Sequence, residues 1–188
     1  MASLPQEIIR ELTDSEKVLW SGQPKQGIVF RTFDLFVVPF SVVWCGIAIF
    51  IFFQAARGQK APIFFDLFSF VFVLIGIYIV VGRFLTEARQ RSRTFYAVTN
   101  DRVIIISGLF GRTLKSIELK SLGEMSLSER NSGSGSIVFG NSSPMDWMFG
   151  AMPAWPGTQG RFASRFDLIA DVRSVYEIIR SARRALTR

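Results

Sequence analysis

The most prominent pattern in the chain is a pair of long apolar stretches in its first half. Residues 35–56 contain no charged side chain, and a helix of that length spans about 33 Å, close to the roughly 30 Å hydrocarbon thickness of a bilayer. Residues 67–82 are also uncharged, and their apolar segment extends back to residue 61 with one interruption, Asp66. Because core helices of soluble proteins normally keep a polar stripe, we predict transmembrane helices at 34–56 and 63–83.

The residues that flank the apolar stretches predict their orientation. A short turn at 57–62 joins the two stretches and is expected outside the cytoplasm. More positive charge lies on the outer flanks, in Lys25, Arg31, Arg83, Arg89, Arg91 and Arg93. By the positive-inside tendency, we expect a two-span protein of the cell inner (plasma) membrane with both termini cytoplasmic. The apolar run also begins too far into the chain for a cleaved signal peptide.

After residue 93 the pattern changes to short alternating segments separated by turn residues. These segments predict strands at 94–99, 102–107, 112–119, 124–130, 136–139 and 161–166. An amphipathic helix capped by Asp167 is expected to run to about Ala185, with Phe166 and Ile169 on its apolar face. We therefore expect an α+β membrane protein, with a cytoplasmic segment at 1–33, the helical hairpin, a basic linker at 84–93 and a cytoplasmic domain at 94–188.

Four stretches also carry a resemblance to a known family. They are Glu16–Pro24, Tyr96–Ile104, the glycine hairpin ending in Gly135–Gly140, and Phe166–Ile169 with Val175 and Tyr176. In these stretches the chain resembles the bacterial pleckstrin-homology-like (PH-like) membrane proteins. The resemblance implies an antiparallel seven-strand barrel or sandwich capped by the C-terminal helix, and it implies no reaction. Phosphoinositide-binding relatives use basic residues on the first hairpin loop, whereas the turn here is Asn100-Asp101 with only Arg102 beside it.

The charge of the chain is unevenly distributed. The net charge of +7 lies wholly in residues 83–188, which carry 16 basic and nine acidic side chains. Cations near a membrane surface are attracted to anionic lipids by about 1 kcal/mol each. We therefore expect a bilayer with anionic headgroups as a partner, contacted by Arg83, Arg89, Arg91 and Arg93. Nucleic-acid binding is the rival interpretation of basic charge, and the membrane tether disfavours it.

The composition argues against most catalytic and metal-binding chemistry. The sequence has no histidine and one cysteine, Cys45. The first absence removes the usual general base and the His-based triads, and the second excludes an intrachain disulfide and a thiolate metal cluster. No motif for a nucleophile or a phosphate loop compensates. We expect no catalytic residue, no cofactor and no metal.

Two features leave alternatives open. Asp66, one turn inside the second apolar stretch, marks the outer interface, or else it is an intramembrane acid that moves ions. The loop at 145–155 contains Trp147, Met148, Phe149 and Trp155. This loop either packs over the domain or enters the membrane interface or a partner surface.

These features together predict a function without a reaction. We expect a membrane-anchored interaction or scaffold module at the cytoplasmic face of the inner membrane, which recruits an unidentified protein through a strand edge or a loop. The alternative is an accessory subunit of a transport or channel system, in which Asp66 matters more. Homo-oligomerisation is open.

Overall fold

The computed structural model describes residues 4–29, 34–57, 63–109, 111–130, 132–140 and 164–186. The helices are α1 (Gln6–Ile9), α2 (Asp34–Arg57), α3 (Ile63–Ile77), a π-helix (Tyr78–Gly82), α4 (Arg83–Ser92) and α5 (Val172–Ala185). The strands are β1 (Val18–Gly22), β2 (Phe95–Thr99), β3 (Arg102–Ser107), β4 (Thr113–Glu118), β5 (Met125–Glu129), β6 (Gly135–Phe139) and β7 (Ser164–Ile169). The chain forms two compact units. One is Ile28–Glu87, and the other combines Met1–Gly27 with Ala88–Arg188.

The unit Ile28–Glu87 contains the apolar helices. Two helical stretches, Asp34–Gln54 with a mean hydropathy of 2.5 and Phe70–Ser92 with 2.0, are long and apolar enough to cross a membrane. Helices α2 and α3 approach closely at Gly76, where an added Cβ would lie 3.1 Å from both Cβ and Sγ of Cys45. Small residues at such contacts let two helix backbones pack tightly, which is the usual packing of helices in lipid.

The other unit is built on two antiparallel sheets, with strand orders β1-β2-β3-β4 and β5-β6-β7. This confirms the α+β class with antiparallel strands. The two sheets remain separate in the described part of the chain, so the strands do not close into a barrel. Residues 84–93, expected to be a linker, are mainly the helix α4.

Strand β1 is the element that the sequence did not predict. It precedes the apolar helices in the chain, yet it pairs with β2, which follows them, in a register that joins Trp20 to Val98 and Gly22 to Tyr96. The Trp20 ring lies 5.7 Å from the ring of Phe166, at the edge of the main core. Part of segment 1–33 therefore belongs to the sheet, because burying Trp20 and satisfying the edge of β2 both favour pairing.

Strand β3 is buried on both faces. Val103 and Ile105 point into the main core, which lies between the two sheets and α5. Ile104 and Ile106 point the other way and pack against Ile8 of α1. The N-terminal helix therefore covers the outer face of the four-stranded sheet at β2 and β3. Because both faces of β3 are buried, its sequence is a continuous apolar run and not an alternation of apolar and polar residues.

The start of the C-terminal helix differs from the prediction. Asp167 was expected to cap that helix, but it lies in β7, where its Oδ1 accepts a hydrogen bond from Ser136 Oγ at 2.9 Å. Phe166 is likewise a buried strand residue. The helix begins after Asp171, which has a φ of 48°. The prediction was wrong because Phe166 and Ile169 are three residues apart, a spacing that also fits a helical face.

Candidate functional site

The four arginines expected at the membrane surface fall into two groups. Arg89 and Arg93 are exposed, whereas Arg83 and Arg91 are buried. Within the unit Ile28–Glu87, Arg83 Nη2 donates a hydrogen bond to Asp34 Oδ1. The Arg83 guanidinium carbon also lies 4.6 Å from the centre of the Phe84 ring. The structure therefore gives Arg83 an ion pair that joins the start of α2 to the start of α4.

Arg91 fixes the segment that follows β1. Its Nη2 donates to the carbonyl oxygen of Gly27 at 2.9 Å, and its own carbonyl accepts from Gln26 Nε2 at 3.2 Å. The backbone N–H of Lys25 donates to the carbonyl of Leu168 at 2.8 Å. Residues 25–27 are thus attached both to the end of α4 and to β7. The chain therefore leaves the unit that contains the sheets near Gly27 and re-enters it near Arg91, and these two points lie side by side.

A second arginine network attaches the N-terminal segment to the sheet. Arg102, at the start of β3, forms a two-pronged pair with Glu16: Nε to Oε1 at 2.7 Å and Nη2 to Oε2 at 2.8 Å. Its Nη2 also donates to the carbonyl of Glu11 at 2.7 Å. Beside the pair, Asn100 Oδ1 accepts from the Lys17 N–H at 2.7 Å. The Arg102 guanidinium lowers the pKa of Glu16, mainly by donating hydrogen bonds to its carboxylate.

A shallow cleft of about 490 Å³ lies at one end of the four-stranded sheet. Its walls come from α1, the end of α4, the start of β2 and the turn between β3 and β4. The lining residues are Glu7, Ser92, Arg93, Phe95, Ser107, Gly108, Gly111 and Arg112. Arg93 was among the arginines predicted from the sequence, whereas Arg112 was not, because the two are distant in sequence and line the same cleft only through the pairing of β2 with β3 and β3 with β4.

Two arginine side chains of the cleft are held in place by the chain around them. Arg93 Nη1 donates to the carbonyl of Leu109 at 3.0 Å. Arg112 Nη2 donates to the carbonyl of Glu7 at 3.0 Å and forms an ion pair with Glu11 Oε1 at 2.9 Å. The cleft therefore has two arginines that each donate to a backbone carbonyl, together with one carboxylate, Glu7.

Some predicted site residues lie outside the described part of the chain. These are the loop residues Trp147, Met148, Phe149 and Trp155. Asp66 belongs to α3, but its side chain is not among those described. Within the described residues, no group of three or more His, Cys, Asp or Glu side chains is arranged to hold a metal ion.

The comparison with protein families identifies the fold. The family model for the bacterial PH domain matches residues 33–182. No curated protein and no solved structure matches the chain. The match covers the apolar helices, six of the seven strands and most of α5, and it begins after β1. The antiparallel sheets and the terminal helix agree with that assignment, and the chain therefore belongs to the bacterial PH domain family.

Proposed function

We propose that this protein is a membrane-anchored PH-like interaction module at the cytoplasmic face of the inner membrane and that it has no catalytic role. The observation that carries the proposal is the pairing of β1 with β2. The two apolar helices lie between these strands in the chain. Paired strands share one compartment, so the intervening chain must cross the membrane an even number of times. Two spans satisfy that requirement.

The exposure of the apolar helices supports the membrane anchor. Only 11% of an 18-residue stretch within Asp34–Gln54 is buried. Large apolar side chains cover much of the remaining surface, among them Leu35, Phe36, Phe40, Phe50 and Phe53. A core helix of a soluble protein is mostly covered, whereas this surface would be costly in water and stable among acyl chains.

Fractionation and single-cysteine labelling test the anchor and its topology. Cys45 is replaced by Ser, and one cysteine is introduced at Asp14, Gln59 or Ser132. We expect the protein to stay in membranes after a carbonate wash. A membrane-impermeant maleimide should label the Gln59→Cys variant from outside, and the other two only after permeabilisation. Release by carbonate would contradict the anchor, and labelling of Asp14→Cys and Ser132→Cys from opposite sides would contradict the topology.

Strand β5 is a sheet edge that suits an interaction role. In the described residues it pairs only with β6. The Arg130 N–H donates to the Ser134 carbonyl, and the Glu124 carbonyl accepts from the Gly140 N–H. The backbone N–H and C=O groups of the even-numbered residues of β5 therefore point toward β6. The backbone groups of Leu127 therefore point away from the sheet, because hydrogen-bonding direction alternates along a strand. An extended segment of a partner protein could pair there.

A proline substitution tests this edge. Leu127→Pro removes one outward N–H and leaves the β5–β6 ladder intact, while Leu127→Ala keeps that N–H and removes a similar amount of side chain. With a photocrosslinker at Glu129, we expect one defined adduct in cells, retained by Leu127→Ala and lost in Leu127→Pro. Equal adducts from both variants would mean that the backbone edge does not form the contact.

A further inference from the structure

We propose that strand β5 pairs with the β5 of a second copy of this chain, so that two copies form an antiparallel dimer through one continuous sheet. The inference rests on the proposed interaction role of the β5 edge, and it names the partner. It does not depend on the membrane anchor. The geometry of the edge fixes both the partner and the register.

The edge of β5 lacks the charges that block pairing at other sheet edges. Residues Met125–Ser128 are uncharged, and Leu127 and the two serines beside it are exposed. Strand β4 is the corresponding edge of the four-stranded sheet, and it carries Lys115 near its middle. Lysine on an edge strand is a common device against pairing with another chain. Of these two edges, β5 is therefore the one whose sequence permits a further strand.

The direction of the backbone groups in β5 limits how two copies can pair. Those of Met125, Leu127 and Glu129 point away from β6, because those of the even-numbered residues point toward it. In an antiparallel dimer, each outward residue lies opposite another outward residue, and a two-fold axis crosses the pair. Axes at Ser126, Leu127 or Ser128 meet this condition, so the side chains decide among them.

The side chains select the axis at Leu127. This axis places Glu124 opposite Arg130 of the second copy and Ser126 opposite Ser128, and each pair occurs twice in the dimer. Glu124 and Arg130 are exposed, and neither forms an ion pair with another described residue. Axes at Ser126 or Ser128 leave Glu124 opposite a serine. Because opposite charges facing each other across an antiparallel pair are stabilising, the axis at Leu127 is favoured.

Leu127 gives this dimer an apolar centre. Its neighbour on β6 is Ile137, which is fully buried in the main core. Directly paired residues point to the same face of a sheet. Leu127 is nevertheless 36% exposed, since β5 has no strand beyond it in the described part of the chain. At the axis, the two Leu127 residues lie about 5.5 Å apart at Cα. Pairing therefore covers apolar surface that a single copy leaves exposed.

Disulfide crosslinking in native membranes tests the pairing and its register. Two full-length copies with different tags carry Cys45→Ser, and one adds Glu124→Cys while the other adds Arg130→Cys. Opposite residues of this kind lie about 4.5 Å apart at Cα, within disulfide range. The same residue in the two copies is offset by about six positions, or roughly 20 Å. We expect a mixed disulfide from co-expressed copies and none from either variant alone.

A single cysteine at the axis reports on further variants. Leu127→Cys should form a disulfide with its own copy, whereas the exposed control Lys120→Cys should not. In the Leu127→Cys protein, Glu124→Arg places two arginines opposite each other and should lower the initial crosslinking rate about fivefold or more. Adding Arg130→Glu restores opposite charges and should restore the rate. Lys120→Glu, a charge reversal outside β5, should leave the rate unchanged. Thermal unfolding confirms that each variant is folded.

Three results would overturn the inference. One is a mixed disulfide no stronger than the self-disulfides of Glu124→Cys and Arg130→Cys, which would mean random collision. Another is a loss in Glu124→Arg that Arg130→Glu does not rescue. The third is a photocrosslinked adduct at Glu129 with the mass of a different protein and no self-disulfide at Leu127→Cys. That last result would leave the proposed interaction role of β5 standing, so the two failures are distinguishable.

Discussion

The contact between Glu16 and Arg102 tests how the segment that precedes the apolar helices is attached to the sheet that follows them in the chain. The Glu16 side chain is 5% exposed and that of Arg102 is 23% exposed. Two charge-assisted hydrogen bonds join them. A fully exposed pair contributes about 0–1 kcal/mol, and breaking a buried one costs about 3–5 kcal/mol. Because the burial of this pair is intermediate, we expect Arg102→Met to lower the free energy of unfolding by about 2–3 kcal/mol.

A double-mutant cycle isolates the pair. It compares Glu16→Gln, Arg102→Met and the double variant with the wild type. Unfolding is followed in detergent by the fluorescence of Trp20, with the other tryptophans replaced by Phe. This ring reports on β1 because it packs 5.7 Å from Phe166. We expect a coupling energy of about 1–3 kcal/mol, the range found for residues in one network.

The pair between Arg112 and Glu11 is the matched control. It also joins the N-terminal segment to the sheet, but the side chains are 45% and 22% exposed and are joined by a single contact at 2.9 Å. Its coupling should be about 0.2–1 kcal/mol. Equal coupling in the two cycles, or additive effects at Glu16 and Arg102, would refute the argument from burial and geometry.

Three further predictions follow from local geometry. The lowered pKa of Glu16 means that its contribution to stability is fully present above the unfolded value of 4.5 and is lost as pH falls below it. The opening free energy of β1, obtained from hydrogen exchange after division by the intrinsic exchange rate at each pH, should therefore fall below that pH in the wild type more than in Glu16→Gln. Gly135→Ala places a Cβ 2.1 Å from a backbone oxygen of the facing strand, so it should lower the unfolding free energy by about 1–3 kcal/mol, while Gly111→Ala, in open space, should leave the thermal midpoint unchanged. Gly76→Val should separate α2 from α3 and lower the thermal midpoint in detergent, with partial rescue by Cys45→Gly; no loss in the single variant would contradict the tight helix contact.

The sequence by itself determined the features that depend on local pattern. Uncharged runs of 16 to 22 residues can be only membrane helices or fully buried core, so the apolar helices were evident from length and charge. The strands β2 and β3 were evident too, because they are rich in β-branched and aromatic residues between turn signals. Alternation indicated β4, and the glycine-rich turn between them indicated β5 and β6. The family resemblance followed from the same segments.

The tertiary structure decided what depends on residues far apart in the chain. Strand β1 is too short and too weakly patterned to be recognised alone, and only its pairing with β2 and the packing of Trp20 against Phe166 bring it into the sheet. Asp167 became a strand residue because β6 was there to pair with. The burial of Arg83 beside Asp34, and the meeting of Arg93 with Arg112, likewise depend on contacts across the fold. Charge and periodicity indicate which residues are polar, but only packing decides which of them face solvent, a partner side chain or a site.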